Sequence, residues 1–448
     1  MRTASSRRSF LRAAAVIAAG ATLSACSPRL PAADQVHGAG HAGAAEVESD
    51  GAAAVPAGWI ELTAGHIVHA EPLSHPAASR LFAYTAIAMH EAVAAADPAA
   101  GSLAGGLTGA PAMPATGEGV RLDSAAAAAA AAHGVLTGLL GPTPTADTTT
   151  AIDDLHTEQR DRRAASGVSE TVLAASAAHG EQVAAAILDW AADDGYTERT
   201  APYELPTGEG VWELAAPATA PVEPHWGTLR PYALDTADQV QPPVPPAYSA
   251  DPNSEFAGHA RQVYETGRAL TDEQRAIAQF WAAGPAARWL TIAADQVTAH
   301  HLGLAEGTRT LAVTALALAD ASIASWAAKY QHNVIRPVTY IQRHIDPAWT
   351  PLLPTPGHPE FPAGHSAGAA AAATVLTGLL GDAPVTARDA AGTEPARHLA
   401  SLDAAVQETA ISRVYAGVHY PAGLDAGTDQ GNRIGRLVLD RLAPSGGR

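Results

Sequence analysis

Between positions 329 and 419 the chain carries Lys329, Arg336, His365, Arg413 and His419, residue types that together can hold and process a small anion. Lysine occurs once in the 448 residues, at 329, whereas arginine supplies the other 26 positive charges. Lysine offers a compact point charge and arginine a planar fork, so one retained lysine implies a site that needs the ammonium. Seven residues are two helical turns, which predicts that Lys329 and Arg336 point the same way from one helix. Pro337 disfavours helical geometry at Arg336 and is predicted to end that helix there. Gly364 permits close backbone approach, and His365 opens a predicted helix whose N-terminal dipole favours negative charge. Three cations and a backbone amide suit a tetrahedral oxyanion. A neutral His419 imidazole could attack its central atom or ligate it, while His365 moves a proton at the opposite apex.

The order of the motifs sharpens this. Lys329 is followed by Arg336-Pro337, then by Phe361-Pro-Ala-Gly-His365, then by Ser412-Arg413 with His419 six residues on. The pattern resembles the superfamily of vanadium-dependent haloperoxidases and type 2 phosphatidic acid phosphatases. Trp226–Leu234, the proline cluster Gln241–Ala247 and Asp346–Pro354 extend the likeness to bacterial secreted members, from about Trp59 to Leu442. The resemblance implies an all-α fold and halide oxidation by hydrogen peroxide at a vanadate cofactor. Lys329, Arg336, Gly364, His365, Arg413 and His419 would bind that cofactor, with His419 as the axial vanadium ligand. The alternative within the superfamily is a vanadate-free acid phosphatase that cleaves a phosphate ester through a phosphohistidine at His419.

Two positions depart from the family pattern. Ala363 stands where the family has serine, which removes a hydroxyl able to bond an equatorial oxygen, worth about 1–3 kcal/mol. The acid expected after His419 falls on Gly423, and Asp425 sits two residues late, where a bulge after Pro421 would bring it into play. Trp326 and His358 occupy positions that the resemblance places near the halide, and the pair favours bromide.

Helical periodicity dominates the positioning elements. Thr271-Asp-Glu-Gln274 predicts a capping box, a long helix is expected from about Glu306 to His332, and Gly417 is expected to break the chain so that His419 turns back to the anion. Asp320, on the long helix, could pair with one of the site's arginines. Val-Leu-Thr-Gly-Leu-Leu-Gly occurs at 135–141 and again at 375–381, each time after alanines. We therefore expect two helical bundles, at 58–214 and 256–442, joined by an ordered Pro-rich loop at 215–255, with only the second carrying the site.

At the N-terminus, Ser6-Arg-Arg-Ser-Phe-Leu-Arg12 resembles a twin-arginine export motif, and Leu23-Ser-Ala-Cys26 a lipobox. This predicts a signal over 1–26, lipidation of Cys26, a disordered tether over 27–57, and anchoring to the outer face of a bacterial cell membrane. Cys26 is the only cysteine, which excludes internal disulfides. The formal charge of −18 argues against nucleic acid and anionic lipid headgroups as partners. Small molecules, namely peroxide, halide or a phosphate ester, are the expected partners. No run is expected to reach the length and apolarity of a spanning helix. Two other classes fit less well. Gly364-His-Ser366-Ala-Gly368 matches a nucleophile elbow with Asp403 and His419 following, but proline-rich chain precedes it where a strand is required. A non-catalytic oxyanion-binding lipoprotein is the third. His90-Glu91 begins a zincin-like motif that fails at Ala94.

Overall fold

The computed structural model describes residues 52–282 and 284–443; the twin-arginine motif, Cys26 and the tether up to Gly51 lie outside the described residues. Helix α1 (Ala54–Leu62) starts inside the stretch expected to be tether, because Val55, Trp59 and Ile60 bury against the core. A π turn leads to the one-turn α2 (Val68–Ala70), followed by α3 (His75–Ala96), α4 (Ser124–Leu140), α5 (Ala146–Ala165) and α6 (Glu170–Ala192). After a long segment with only 3-10 turns come α7 (Glu255–Arg268), α8 (Asp272–Phe280), α9 (Pro285–Ala299), α10 (Leu304–His332), α11 (Pro337–His344) and α12 (Gly364–Leu380). A short antiparallel hairpin, β1 (Val385–Ala387) with β2 (Arg397–Leu399), precedes α13 (Leu402–Tyr415) and α14 (Pro421–Leu442). The fold is all-α, as the sequence predicts.

Helix α10 runs through the middle of the helices, packed by α3, α9, α12 and α14. It is long and apolar enough to cross a membrane, contrary to expectation, with a mean hydropathy of 1.5 over its most apolar window. That window is 89% buried, however, so its apolar surface is already covered by protein. Alanine on α3, α4, α10 and α12 keeps the axes close. The packed surface is correspondingly dense in backbone, and glycines occupy the tightest crossings.

Three local features position the site. Helix α10 stops at His332, earlier than Pro337 alone predicts, because Asn333 adopts a left-handed conformation (φ 48°) with its N–H on the Lys329 carbonyl. Val334 then bridges antiparallel to Val211, and Pro337 starts α11, where its fixed φ and missing N–H suit the first turn. Lys329 and Arg336 therefore leave different elements, and the chain reversal, not a shared helical face, brings them together. The predicted capping box forms at Thr271 and Gln274. Gly417, at φ 79°, turns the chain after α13 as expected.

The loop between α6 and α7 is held to α10. Asp320 is buried and accepts the backbone N–H groups of Tyr232 (2.7 Å), Ala233 (2.8 Å) and Leu234 (3.0 Å). It pins this loop and makes no ion pair with the site's arginines, because three nearby amides already fill its two oxygens. The Val222 carbonyl accepts from the Tyr330 hydroxyl (2.8 Å) and the Trp326 indole (3.3 Å), which fixes the loop beside the end of α10.

Candidate active site

Lys329 and Arg336 are fully buried, and Arg413 is 4% exposed. Lys329 Nζ donates to the carbonyls of Pro359 (3.0 Å), Glu360 (2.9 Å) and Pro362 (2.5 Å), so it grips the turn that leads into α12. All three ammonium protons are thereby engaged, and its influence on an anion is that of a fixed charge behind the wall. Arg336 donates from Nε to the His358 carbonyl (2.9 Å) and from Nη1 to the Val418 carbonyl (2.6 Å). Its Nη1 also lies 3.3 Å from His419 Nε2, and its Nη2 3.0 Å from His358 Nδ1. Arg413 donates to the Trp281 carbonyl (3.2 Å), while its buried Nε meets no partner within the protein.

These groups surround a cavity of about 500 Å³ whose lining includes Trp326, His358, Gly364, His365, Arg413 and His419. Helix α12 begins here with no side-chain cap: Ala363 is its N-cap residue, and Gly364 and His365 of the first turn border the cavity. A Cβ on Gly364 would lie 3.0 Å from the Trp326 ring, so glycine is what lets indole and helix terminus share the wall. Trp326 and His358 stack with ring centroids 4.9 Å apart. Trp326, His358, Gly364, His365, Arg413 and His419 are thus brought together around one cavity, and Lys329 and Arg336 form the layer behind the lining.

Burial depresses the basicity of every cation in the cluster. It lowers Lys329 well below the ordinary lysine value, helped by Arg336 and opposed by Glu360. Arg336 falls to about 10 through burial, and Arg413 to about 10 through burial and then Arg336. His419 is held well below the usual imidazole range by burial and then by Arg336, Lys329 and Arg413. His358 is shifted the same way, by burial and then Arg336 and Lys329.

The donor set fits a vanadate or phosphate anion on this structure's own terms. Three buried cations face one buried carboxylate, Arg413 retains an unpartnered N–H, and a helix N-terminus opens onto the same cavity. Desolvated positive charge left in excess favours a small anion between these groups.

Two functional residues escaped sequence reasoning. Glu360, 1% exposed, accepts from His419 Nδ1 (2.8 Å) and from the Tyr420 N–H (3.0 Å). Asp425, expected as a substitute for the missing acid, is exposed and takes no part, because α14 runs regularly from Pro421 and no bulge forms. His75, at the start of α3, lines the cavity with its ring centroid 5.8 Å from that of His365. Gly284 leaves room for it. Nothing local marks His75 in the sequence, whereas a lone acid between Pro359 and Phe361-Pro362 was a visible signal. The nucleophile-elbow reading fails on position: Ser366 is fully buried against α14, outside the cavity lining, and Asp403 is exposed on α13. His90 bonds Thr308 and the Gly101 carbonyl in the core.

A buried cation cluster at the N-terminus of a bundle helix is the kind of arrangement that suits a small oxyanion. The family model described as the second helical-bundle domain of vanadium chloroperoxidase matches residues 309–444. A bacterial vanadium-dependent iodoperoxidase of known structure is 32% identical, covering 87% of this chain and 96% of that one, with a TM-score of 0.79. The holo and apo forms of a bacterial vanadium-dependent chloroperoxidase, each 16% identical with a TM-score of 0.64, share the fold; 85% and 83% of this chain is covered, and 94% of each of theirs. No curated protein matches. The chain belongs to the vanadium-dependent haloperoxidase family and is an enzyme of that family.

Proposed function

We propose that this enzyme oxidises halide, with bromide accepted, using hydrogen peroxide and a vanadate anion bound in the cavity. The observation that carries the reading is the buried His419, with Nε2 turned towards the cation cluster and Nδ1 bonded to Glu360. When bound, vanadate would supply a pentavalent Lewis acid that activates peroxide without changing oxidation state. His419 Nε2 would ligate it, Arg413 and the first amides of α12 would bond its oxygens, and Lys329 and Arg336 would hold its charge. His365 borders the same cavity and would move a proton to or from the bound anion. Trp326 and His358 form the aromatic wall beside which a halide would lie. The likeness to an iodoperoxidase supports halide oxidation, and the pairing of Trp326 with His358 supports bromide.

The metal-free protein should be titrated with vanadate and assayed with peroxide and bromide or iodide, beside a phosphomonoester assay without vanadate. Bromide oxidation that rises with vanadate and is competitively inhibited by phosphate is expected. Phosphomonoester turnover with no vanadate-dependent halide oxidation would replace this reading with the phosphatase one. We further propose export by the twin-arginine route and lipidation at Cys26. Incorporation of an alkynyl fatty acid, lost in Cys26→Ser, is the check.

A further inference from the structure

We propose that Glu360 is the positioning residue for His419, and that Gly423 is glycine because the Glu360 carboxylate occupies the space a side chain there would fill. The family pattern puts an acid at 423; here the carboxylate comes instead from the turn before α12 and fills the same place. The inference rests on the proposed role of His419 as the vanadate ligand, but its central claim concerns the metal-free protein.

Two independent contacts fix the ring. Arg336 can only donate, so its long approach to His419 Nε2 (3.3 Å) favours the lone pair on that nitrogen without fixing it there. With the lone pair on Nε2, the proton is on Nδ1, which donates to Glu360 Oε1 at 2.8 Å. The same oxygen accepts the Tyr420 N–H at 3.0 Å, so ring and backbone are referenced to one atom. Glu360 is itself immobilised at both ends of its backbone. Its N–H donates to the Val334 carbonyl (3.0 Å), and its carbonyl accepts from Lys329 (2.9 Å). A Cβ on Gly423 would overlap Glu360 Oε1 and come within 3.1 Å of Oε2. An aspartate at 423 could therefore set a carboxylate oxygen about where Oε1 now lies, provided that Glu360 were absent. Outer carboxylates of this kind fix the tautomer and orientation of a ligating histidine, and losing one costs roughly 10–100-fold in metal affinity.

The exchange of the two positions tests this. In Glu360→Ala the vanadate dissociation constant should rise roughly 10–100-fold. In Gly423→Asp it should rise further, since two carboxylates compete for one place. The double variant should recover most of the loss. The readout that a merely structural role would not move is the tautomer of His419. In ¹⁵N-histidine NMR of the metal-free protein, the His419 resonances, assigned by their loss in His419→Gln, should show Nδ1 protonated in the wild type and the double variant. They should show mixed tautomers in Glu360→Ala. If Glu360→Ala does not fold, Glu360→Gln keeps the shape without the charge, and its Nδ1 proton should move upfield. An unchanged His419 spectrum in the Glu360 variants, or a folded double variant no better than Glu360→Ala, would overturn the proposal. A wild type that binds no vanadate yet shows the Glu360-dependent tautomer would remove the cofactor reading and leave the positioning role supported.

Discussion

Helices α4 and α12 both close on Val-Leu-Thr-Gly-Leu-Leu-Gly, and each lies along a partner, α6 or α14, with the same close approaches. A Cβ on Gly180 of α6 would run into the Ala127 carbonyl and Ala130; one on Gly431 of α14 would run into the Ala367 carbonyl and Ala370. Ala127 and Ala367 stand at the same distance before the repeated valine. Gly138 faces Leu188 as Gly378 faces Leu439. One contact is mirrored: Gly134 faces Ala184, whereas Thr374 faces Gly435, and a Cβ added to either glycine would lie 2.7 Å from that of its neighbour. Their N-termini differ. Asp123 and Ala363 both stand twelve residues before that valine, as N-cap residues. Asp123 accepts the Ala126 N–H (2.8 Å) and pairs with the nearly buried Arg163 (2.6 Å). In the second pair no carboxylate occupies that place, and Arg413 and the helix terminus face a cavity. The first N-terminus is closed by an internal carboxylate that also pairs with an arginine of α5; the second has no such cap and opens onto the cavity. On the proposed reading, withdrawing the cap is what turns this scaffold into an anion site.

The sharpest way to break this comparison is to restore the cap. Ala363→Asp should place a carboxylate among the cations and exclude vanadate, raising its dissociation constant on the order of a hundredfold, about 2.8 kcal/mol. Its melting temperature should not fall, since an N-cap contributes about 1 kcal/mol. Unaltered vanadate binding by equilibrium dialysis in that variant would show that the two N-termini are not equivalent. The converse change, Asp123→Ala, removes the cap and strands Arg163, so it should destabilise by about 3 kcal/mol in urea unfolding. Turnover per folded molecule should be unchanged, because that end of the molecule binds nothing in this scheme.

Glycine substitutions separate scaffold from site. Gly180→Ala and Gly431→Ala should each cost about 1–3 kcal/mol by overpacking against a carbonyl. Only Gly431→Ala should also weaken vanadate binding, several-fold, because α12 carries Gly364 and His365. Equal effects of both variants on vanadate affinity would mean that the two pairs of helices are mechanically coupled.

Much of the site was legible from three local motifs in order, Lys329 with Arg336-Pro337, Gly364-His365, and Arg413 with His419, which together carry the family resemblance. Helical periodicity and the capping box at Thr271 located the elements because those signals lie within a few residues. What was lost depended on chain reversals. Asn333 in a left-handed conformation ends α10, so the spacing of Lys329 and Arg336 suggested a shared face that does not exist. Glu360 and Gly423 are 63 residues apart, and only folding shows that the carboxylate of one fills the missing side chain of the other. His75 reaches the cavity from the first half of the chain, a contact that no local pattern announces.

The smallest expected effect is the most local. Ala363→Ser should restore the hydroxyl that the family pattern supplies, and tighten vanadate binding by roughly tenfold, about 1.4 kcal/mol. Two acceptors for the new group compete. At an N-cap position a serine oxygen can accept from the first-turn amides, as Asp123 does on α4, or its hydroxyl can donate to an oxygen of the bound anion. A hydroxyl can do both at once, because it has one proton and two lone pairs. Donation to the anion should appear as the tighter dissociation constant, whereas capping alone should appear as a higher melting temperature in the metal-free protein. Ala363 is fully buried, so the added oxygen must be satisfied by one of these partners or destabilise the fold. Turnover at saturating vanadate should change less than affinity, since the bond is present before and after peroxide binds. A melting temperature that rises while the vanadate dissociation constant stays fixed would show that position 363 faces its own helix, as position 123 does.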